Sequence, residues 1–232
     1  MELKSKVIVL TGAARIGVEI AKALSAKGAK LAITYFTTQP DLNLPGEVFY
    51  VKADLSKEAE VKKIISEIKN HFGQIDGLIH MAATYNKSPW NTLSEKDFDS
   101  SMNAIAKSAF LMSKFTADEM IDGKIVLISD WSVLTQPYKD FLAYNVAKSA
   151  VVGLTKSLAK ELAPKITVNC IAPGPILKPA SLNDEDNTEV LKNTPLNRWG
   201  GAEEISKAVL FLLDSDFITG QILYIDGGRS IA

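Results

Sequence analysis

A chain of 232 residues, 47% of them hydrophobic and 23% charged, has the balance of an ordinary globular protein and is long enough to bury a core without disulfides or a structural metal. Its formal net charge is −1 with both signs spread along the chain, which excludes the basic surface that nucleic acid or an anionic membrane would need. The one cysteine, Cys170, excludes an intrachain disulfide and, in the apolar run 166–172, reads as a small core residue in a reducing compartment.

The first apolar run, residues 7–10, begins so early that no signal peptide is expected, and no apolar stretch approaches the ~18 residues of a membrane span. A cytoplasmic protein is expected. The run leads into Thr11-Gly12-Ala13-Ala14-Arg15-Ile16-Gly17 and a helical pattern at Ile20, Ala21 and Leu24. A turn of small residues there lets backbone N–H groups and a helix N-terminus approach a pyrophosphate, although any tight strand-to-helix turn also uses glycine. The second run, 31–34, ends at Tyr35-Phe36-Thr37-Thr38 without a carboxylate. The third, 48–51, precedes Ala53-Asp54-Leu55 and Ser56, the expected N-cap of a helix striped by Val61, Ile64, Ile65, Ile68 and Phe72. The fourth, 78–82, carries His80-Met81-Ala82.

Ser94-Glu95-Lys96-Asp97 has the form of a capping box, and Asn103 falls in the helix that follows. The fifth run, 125–129, precedes Asp130-Trp131-Ser132 and a helix over 143–162 striped by Val146, Ala150, Leu154, Leu158 and Leu162. The sixth, 166–172, enters Pro173-Gly174-Pro175-Ile176. Residues 173–199 are expected to form an irregular lid with Asp184-Glu185-Asp186 as a solvated face. A helix over 202–213 and a seventh run, 222–225, complete the chain. The runs are nearly continuous in apolar residues, as when helices cover both faces of a parallel sheet. With no linker, the expectation is one α/β domain over 1–232, a Rossmann fold with a doubly wound seven-stranded parallel sheet.

Tyr144-Asn145-Val146-Ala147-Lys148 carries the chemistry. Residues four apart share a helical face, so a phenol and an ammonium point into one pocket. A nearby cation is expected to lower the phenol pKa, which makes it usable near neutrality. Taken with the glycine turn, Pro173-Gly174, Thr219-Gly220 and Asp226-Gly227-Gly228, this motif makes the chain resemble short-chain dehydrogenases/reductases over its whole length. The resemblance implies hydride transfer with a nicotinamide cofactor, Tyr144 and Lys148 as catalytic and ribose-binding residues, and Asn103 holding a water in a proton relay. It also implies cofactor contacts at Gly12, Arg15, Ile16, Gly17, Thr37, Asp54, Leu55, Ala82, Pro173, Gly174 and Ile176, no metal, and a homotetramer or homodimer. Asp54 fits the adenine-binding position equally well as a helix cap.

The chain also departs from the family pattern. The glycine turn is one residue shorter, Met81 replaces an asparagine, and Asp130 stands where a serine is usual, with Ser132 as the other candidate. Asp130, Thr11-Gly12-Ala13-Ala14 and Gln136-Pro137 resemble the pteridine reductase and dihydromonapterin reductase branch. A carboxylic acid in a partly dry pocket is suited to donating a hydrogen bond to a ring nitrogen or carbonyl oxygen as hydride arrives. Trp90, Trp131 and Trp199 would supply either a stacking wall or ordinary core and rim. Arg15, Thr37 and Thr38 favour NADP(H) over NAD(H), with Arg15 as a merely solvated charge the plainer alternative. The expected function is NADPH-dependent reduction of a carbonyl or imine-like small molecule, with pteridine-like substrates leading. The alternatives are a 3-oxoacyl-thioester or small-alcohol dehydrogenase/reductase and a catalytically silent, cofactor-binding oligomer.

Overall fold

Each apolar run becomes a strand with helices on both of its faces. The computed structural model describes residues 1–180 and 182–232. Strands β1 (Val7–Thr11), β2 (Lys30–Tyr35), β3 (Val48–Lys52), β4 (Gly77–His80), β5 (Gly123–Ile128), β6 (Ile166–Pro173) and β7 (Ile222–Ile225) form one parallel sheet in the order β3-β2-β1-β4-β5-β6-β7. Helices α1 (Ile16–Ala26) and α7 (Ala202–Asp214) cover one face. The other face carries α2 (Glu58–Phe72), α4 (Ser108–Asp118) and α5 (Leu142–Leu162). Alternation along β1 serves both cores: Ile8 and Leu10 pack toward α1, Val7 and Val9 toward α2. Cys170 is fully buried in the second of these cores, and burial pushes its thiol up to about 11.

Two local expectations change. Ser56 is not the N-cap of α2: the helix starts one residue later, with Lys57 at the cap position, and the Ser56 hydroxyl donates to the Asp54 carboxylate at 2.7 Å. Residues 173–199 are not wholly irregular, since they contain α6 (Asp184–Lys192). Asn183 caps that helix by accepting from the Asp186 N–H at 2.7 Å, and the acidic residues of its first turn suit the helix dipole. They are exposed, as a solvated face would be. Ser181, within the expected lid, lies outside the described residues. The expected capping box is present at Ser94, ahead of α3 (Glu95–Ser101), which continues through a π-helical stretch (Met102–Lys107) into α4.

The chain winds from β1 outward to β3, then crosses back so that β4 lies on the other side of β1. The crevice of a doubly wound sheet opens at this reversal, at the carboxyl ends of the strands. Leu10 pairs with Ile79, so Thr11 and His80 leave the sheet side by side. Thr11 Oγ1 accepts from the N–H groups of Met81 and Ala82, each at 3.0 Å. With both lone pairs taken, its proton goes to His80 Nδ1 at 3.2 Å. The histidine is therefore the Nε2–H tautomer, donating to Ser108 Oγ at 3.1 Å, and that hydroxyl donates to Ala104 O at 2.7 Å. One proton-ordered chain thus joins the ends of β1 and β4 to the π-helical stretch.

Burial holds His80 neutral and pushes its pKa down to about 3, with the Lys148 cation acting in the same direction. The unfolded chain binds this proton below the ordinary value of 6.5, whereas the folded chain waits until about 3. The stabilisation is fully present above pH 6.5 and is lost as pH falls toward 3, at a slope of about 1.4 kcal/mol per pH unit. Urea unfolding at stepped pH should show this slope in the wild-type chain in excess of that in His80→Asn. Parallel pH dependences would refute the assignment.

Candidate active site

A cavity of about 1210 Å³ opens at the carboxyl ends of β1, β4, β5 and β6. That exceeds a typical small-ligand pocket of roughly 300–1,000 Å³ and leaves room for a dinucleotide beside a substrate. Gly12, Arg15, Ile16, Thr37, Asp54, Leu55, Ala82, Asn103, Asp130, Tyr144, Lys148, Pro173, Gly174 and Ile176 all line it. Gly17 sits just behind. A Cβ there would lie 2.4 Å from Gly12 O, and one on Gly12, at φ +72, would lie 3.1 Å from Ala82 N. The β1–α1 turn closes only because both are glycine, and what it leaves open is a cradle of backbone at a helix N-terminus. The residues present fit a dinucleotide. The Asp54 carboxylate accepts from the Ser56 N–H at 3.0 Å and also takes the Ser56 hydroxyl bond. Its oxygens thus serve the turn before α2 even though the residue lines the cavity.

At the far end of β5, Lys148 and Ser129 lock the strand to α5. Lys148 Nζ donates to Ile128 O at 2.8 Å, and Ser129 Oγ donates to Lys148 O at 2.9 Å. Asp130 follows in extended backbone. Its Oδ1 accepts from the Ser132 N–H at 2.9 Å and caps the 3₁₀ turn Trp131–Leu134, while its Oδ2 accepts from the Tyr144 hydroxyl at 2.8 Å. Ser132 is fully buried and does not line the cavity. Asp130 is thus the residue at the end of β5 that meets the phenol. Asn103 lies on the π-helical stretch and faces the same space.

The electrostatics differ from the expectation in one respect. Tyr144 stands above, not below, its ordinary value: burial raises it first, and the charge and hydrogen bond of Asp130 raise it further. The Lys148 ammonium is 5.9 Å from the ring centroid and bonded to Ile128 O, too remote and too engaged to outweigh the carboxylate. Burial lowers the Lys148 pKa, against the pull of Asp130. The phenol is therefore held protonated, a state suited to giving a proton.

Sequence reasoning named Trp131 and Trp199 as wall residues but missed the tyrosines beside them, Tyr85 and Tyr138. Tyr85 packs edge-on to Tyr144 at 4.9 Å and stacks on Phe141 at 4.5 Å, and Trp131 Nε1 donates to the Tyr138 hydroxyl at 2.7 Å. Trp131 and Trp199 line the cavity, whereas Trp90 is 77% exposed and does not. The Gln136-Pro137 pair also stands outside it, as does Thr38. Arg229, which lines it, and His80 were missed as well. The one available signal for Arg229 was its place directly after Gly227-Gly228. Among the described residues no cluster could hold a metal ion.

The protein family described as Enoyl-(Acyl carrier protein) reductase matches residues 12–230. A 3-oxoacyl-[acyl-carrier-protein] reductase of Buchnera aphidicola is 34% identical, over 98% of this chain and 98% of its own. A short-chain dehydrogenase/reductase from Serratia marcescens superposes with a TM-score of 0.91 at 31% identity, over 99% of this chain and 100% of that one. A blue fluorescent protein from a metagenomic library, in complex with NADPH, superposes with a TM-score of 0.90 at 26% identity, over 99% and 100% of the two chains.

If the Asp130 carboxylate raises the phenol as described, Asp130→Asn moves the titration midpoint of Tyr144 to lower pH. NMR of ¹³Cζ-labelled tyrosine would read this directly. A midpoint that stays where it is would leave burial as the whole cause.

Proposed function

The chain belongs to the short-chain dehydrogenase/reductase family and is an NAD(P)-dependent oxidoreductase, and from that premise we propose that it uses NADPH to reduce a C=O or C=N bond with Tyr144 as proton donor. The observation that carries this reading is the 2.8 Å bond from a buried, protonated phenol to Asp130. A reduced nicotinamide, when bound, supplies the hydride. The phenol gives its proton to the substrate oxygen or nitrogen. Burial makes a lasting phenolate costly, so Tyr144 needs a second proton at once; Asp130, which accepts from the phenol, holds it in place, and the replacement proton is drawn from the Lys148 ammonium. Lys148 holds the end of β5 and would bind the ribose of the cofactor. Asn103 holds the water that reconnects Lys148 with solvent. Gly12, Ile16, Gly17, Ala82, Pro173, Gly174 and Ile176 would shape the cleft around the dinucleotide, and Asp54 and Leu55 would flank its adenine.

The preference for NADPH rests on Arg15 and Thr37, which line the cavity beside a β2 end without a carboxylate. Such an end has nothing to repel a 2′-phosphate. The substrate we favour is a flat ring such as a pteridine, since Asp130 and Tyr144 meet an aromatic wall of Tyr85, Trp131 and Tyr138. The Buchnera relative's printed activity supports a second reading, reduction of a 3-oxoacyl thioester. The exposed apolar residues Phe110 on α4 and Leu142 and Val146 on α5 suit a homodimer or homotetramer. Among the described residues no helix is long and apolar enough to cross a membrane, and a cytoplasmic setting remains part of the proposal.

NADPH oxidation by the purified protein, tested side by side with a dihydropterin, a quinonoid pterin and an acetoacetyl thioester, separates the readings. Turnover confined to the thioester would sink the pterin reading. Tight NADPH binding without turnover of any would favour the silent one. Tyr144→Phe should lower kcat by about 10²–10⁴ while NADPH affinity stays nearly constant; retained activity would overturn the assignment. Arg15→Ala should raise the KM for NADPH and leave that for NADH nearly unchanged. Equal wild-type rates with the two cofactors would remove Arg15's role.

A further inference from the structure

Arg229 is the one cation lining the cavity that the scheme above does not use. Its backbone is fixed. The Asp226 carboxylate accepts from the N–H groups of Gly228 at 2.9 Å and Ser230 at 2.8 Å. Gly227 and Gly228 sit at φ +65 and +86, and a Cβ on Gly228 would lie 2.9 Å from Pro195. The guanidinium lies over the Trp131 ring at 5.4 Å, and Nη1 donates to Val190 O of α6 at 2.8 Å.

A guanidinium carries five N–H donors. Among the described residues Arg229 makes this one side-chain hydrogen bond and no salt bridge. The carboxylate nearest in sequence, Asp226, is committed to backbone N–H groups. A half-buried cation without a carboxylate is poorly compensated from within the chain. Its planar fork suits a bidentate oxyanion, a carboxylate or a phosphate.

Sheet order sets this ligand apart from the cofactor phosphates. Arg15 and Thr37 follow β1 and β2, whereas Arg229 follows β7 at the opposite edge, and Asp130 follows β5 between them. An anion at Arg229 therefore lies across the reaction centre from the cofactor phosphates. We propose that Arg229 binds a carboxylate on the substrate, so that the preferred substrate is a planar carbonyl or imine compound carrying that charge, its ring against Trp131. This rests on the reductase reading above but not on the pterin one.

The probes are 3- and 4-carboxybenzaldehyde, each paired with its methyl ester, with NADPH as reductant. In the wild-type enzyme at least one acid should exceed its ester in kcat/KM by tenfold or more. That ratio should fall at least tenfold in Arg229→Met and recover in part in Arg229→Lys. An ester preferred over both acids in the wild type, or a ratio that Arg229→Met leaves unchanged, overturns the proposal. If no aldehyde is turned over, calorimetry of 3- and 4-carbamoylbenzoate binding to the NADPH-loaded protein decides. Binding weakened at least tenfold by Arg229→Met supports the site; no binding, or equal binding, overturns it. The two failures remain separate: no NADPH-dependent turnover of any aldehyde, pterin or thioester defeats the reductase reading and leaves the calorimetric result standing, whereas turnover that survives Tyr144→Phe defeats only the role of Tyr144.

Discussion

The site depends on a histidine that does no chemistry. His80 stands where two strands end together, and both of its ring nitrogens are spent on hydroxyls, Thr11 on one side and Ser108 on the other. Those hydroxyls are themselves committed, one to the N–H groups of Met81 and Ala82 and the other to Ala104 O. Every polar group in the chain has its partner, which is the condition under which a buried network rigidifies rather than destabilises. Because Thr11 precedes the glycine turn and Ala104 adjoins Asn103, the same chain sets the floor of the cleft and the position of the π-helical stretch. The loss of the usual asparagine at Met81 matters less in this light, since the backbone N–H of Met81 is what the network uses.

Above that floor the balance of charge decides the direction of proton movement. A buried phenol facing a carboxylate holds its proton; a buried phenol facing an ammonium sheds it. Lys148 has been turned toward Ile128 O, and Asp130 has been placed at the phenol. The arrangement keeps the phenol protonated, the state that the proposed role requires. Trp131 and Tyr138 close the wall around this pair and keep the carboxylate in partly dry surroundings.

Much of this was legible in the sequence, for physical reasons. Strands buried on both faces announce themselves as unbroken apolar runs, and all seven appear where those runs fall. The Tyr144–Lys148 spacing fixes a shared helical face regardless of tertiary context. What could not be read was which of several local partners a polar group would choose. Ser56 gave its hydroxyl to Asp54, and α2 began one residue later with Lys57 at its cap. Lys148 chose a carbonyl over the phenol. Trp90 carries no periodic signal and proved to be exposed, while Tyr85 and Arg229 reach the cleft only through folding of distant segments. The short helix α6 escaped notice because no apolar stripe marks it: none of its residues is buried.

The π-helical stretch has a consequence for how this cleft can vary. Ser108 N–H bonds back to Asn103 O, five residues earlier, so the helix carries one residue more than a regular α-turn would hold. Removing a residue there would leave a continuous α-helix and rotate everything before it by about 100° relative to α4. Asn103 and the capped start at Ser94 would swing to another face, while α4 and its packing on the sheet stayed in place. The face that Asn103 turns to the cleft thus depends on a single extra residue, a discrete variable that substitution alone cannot tune.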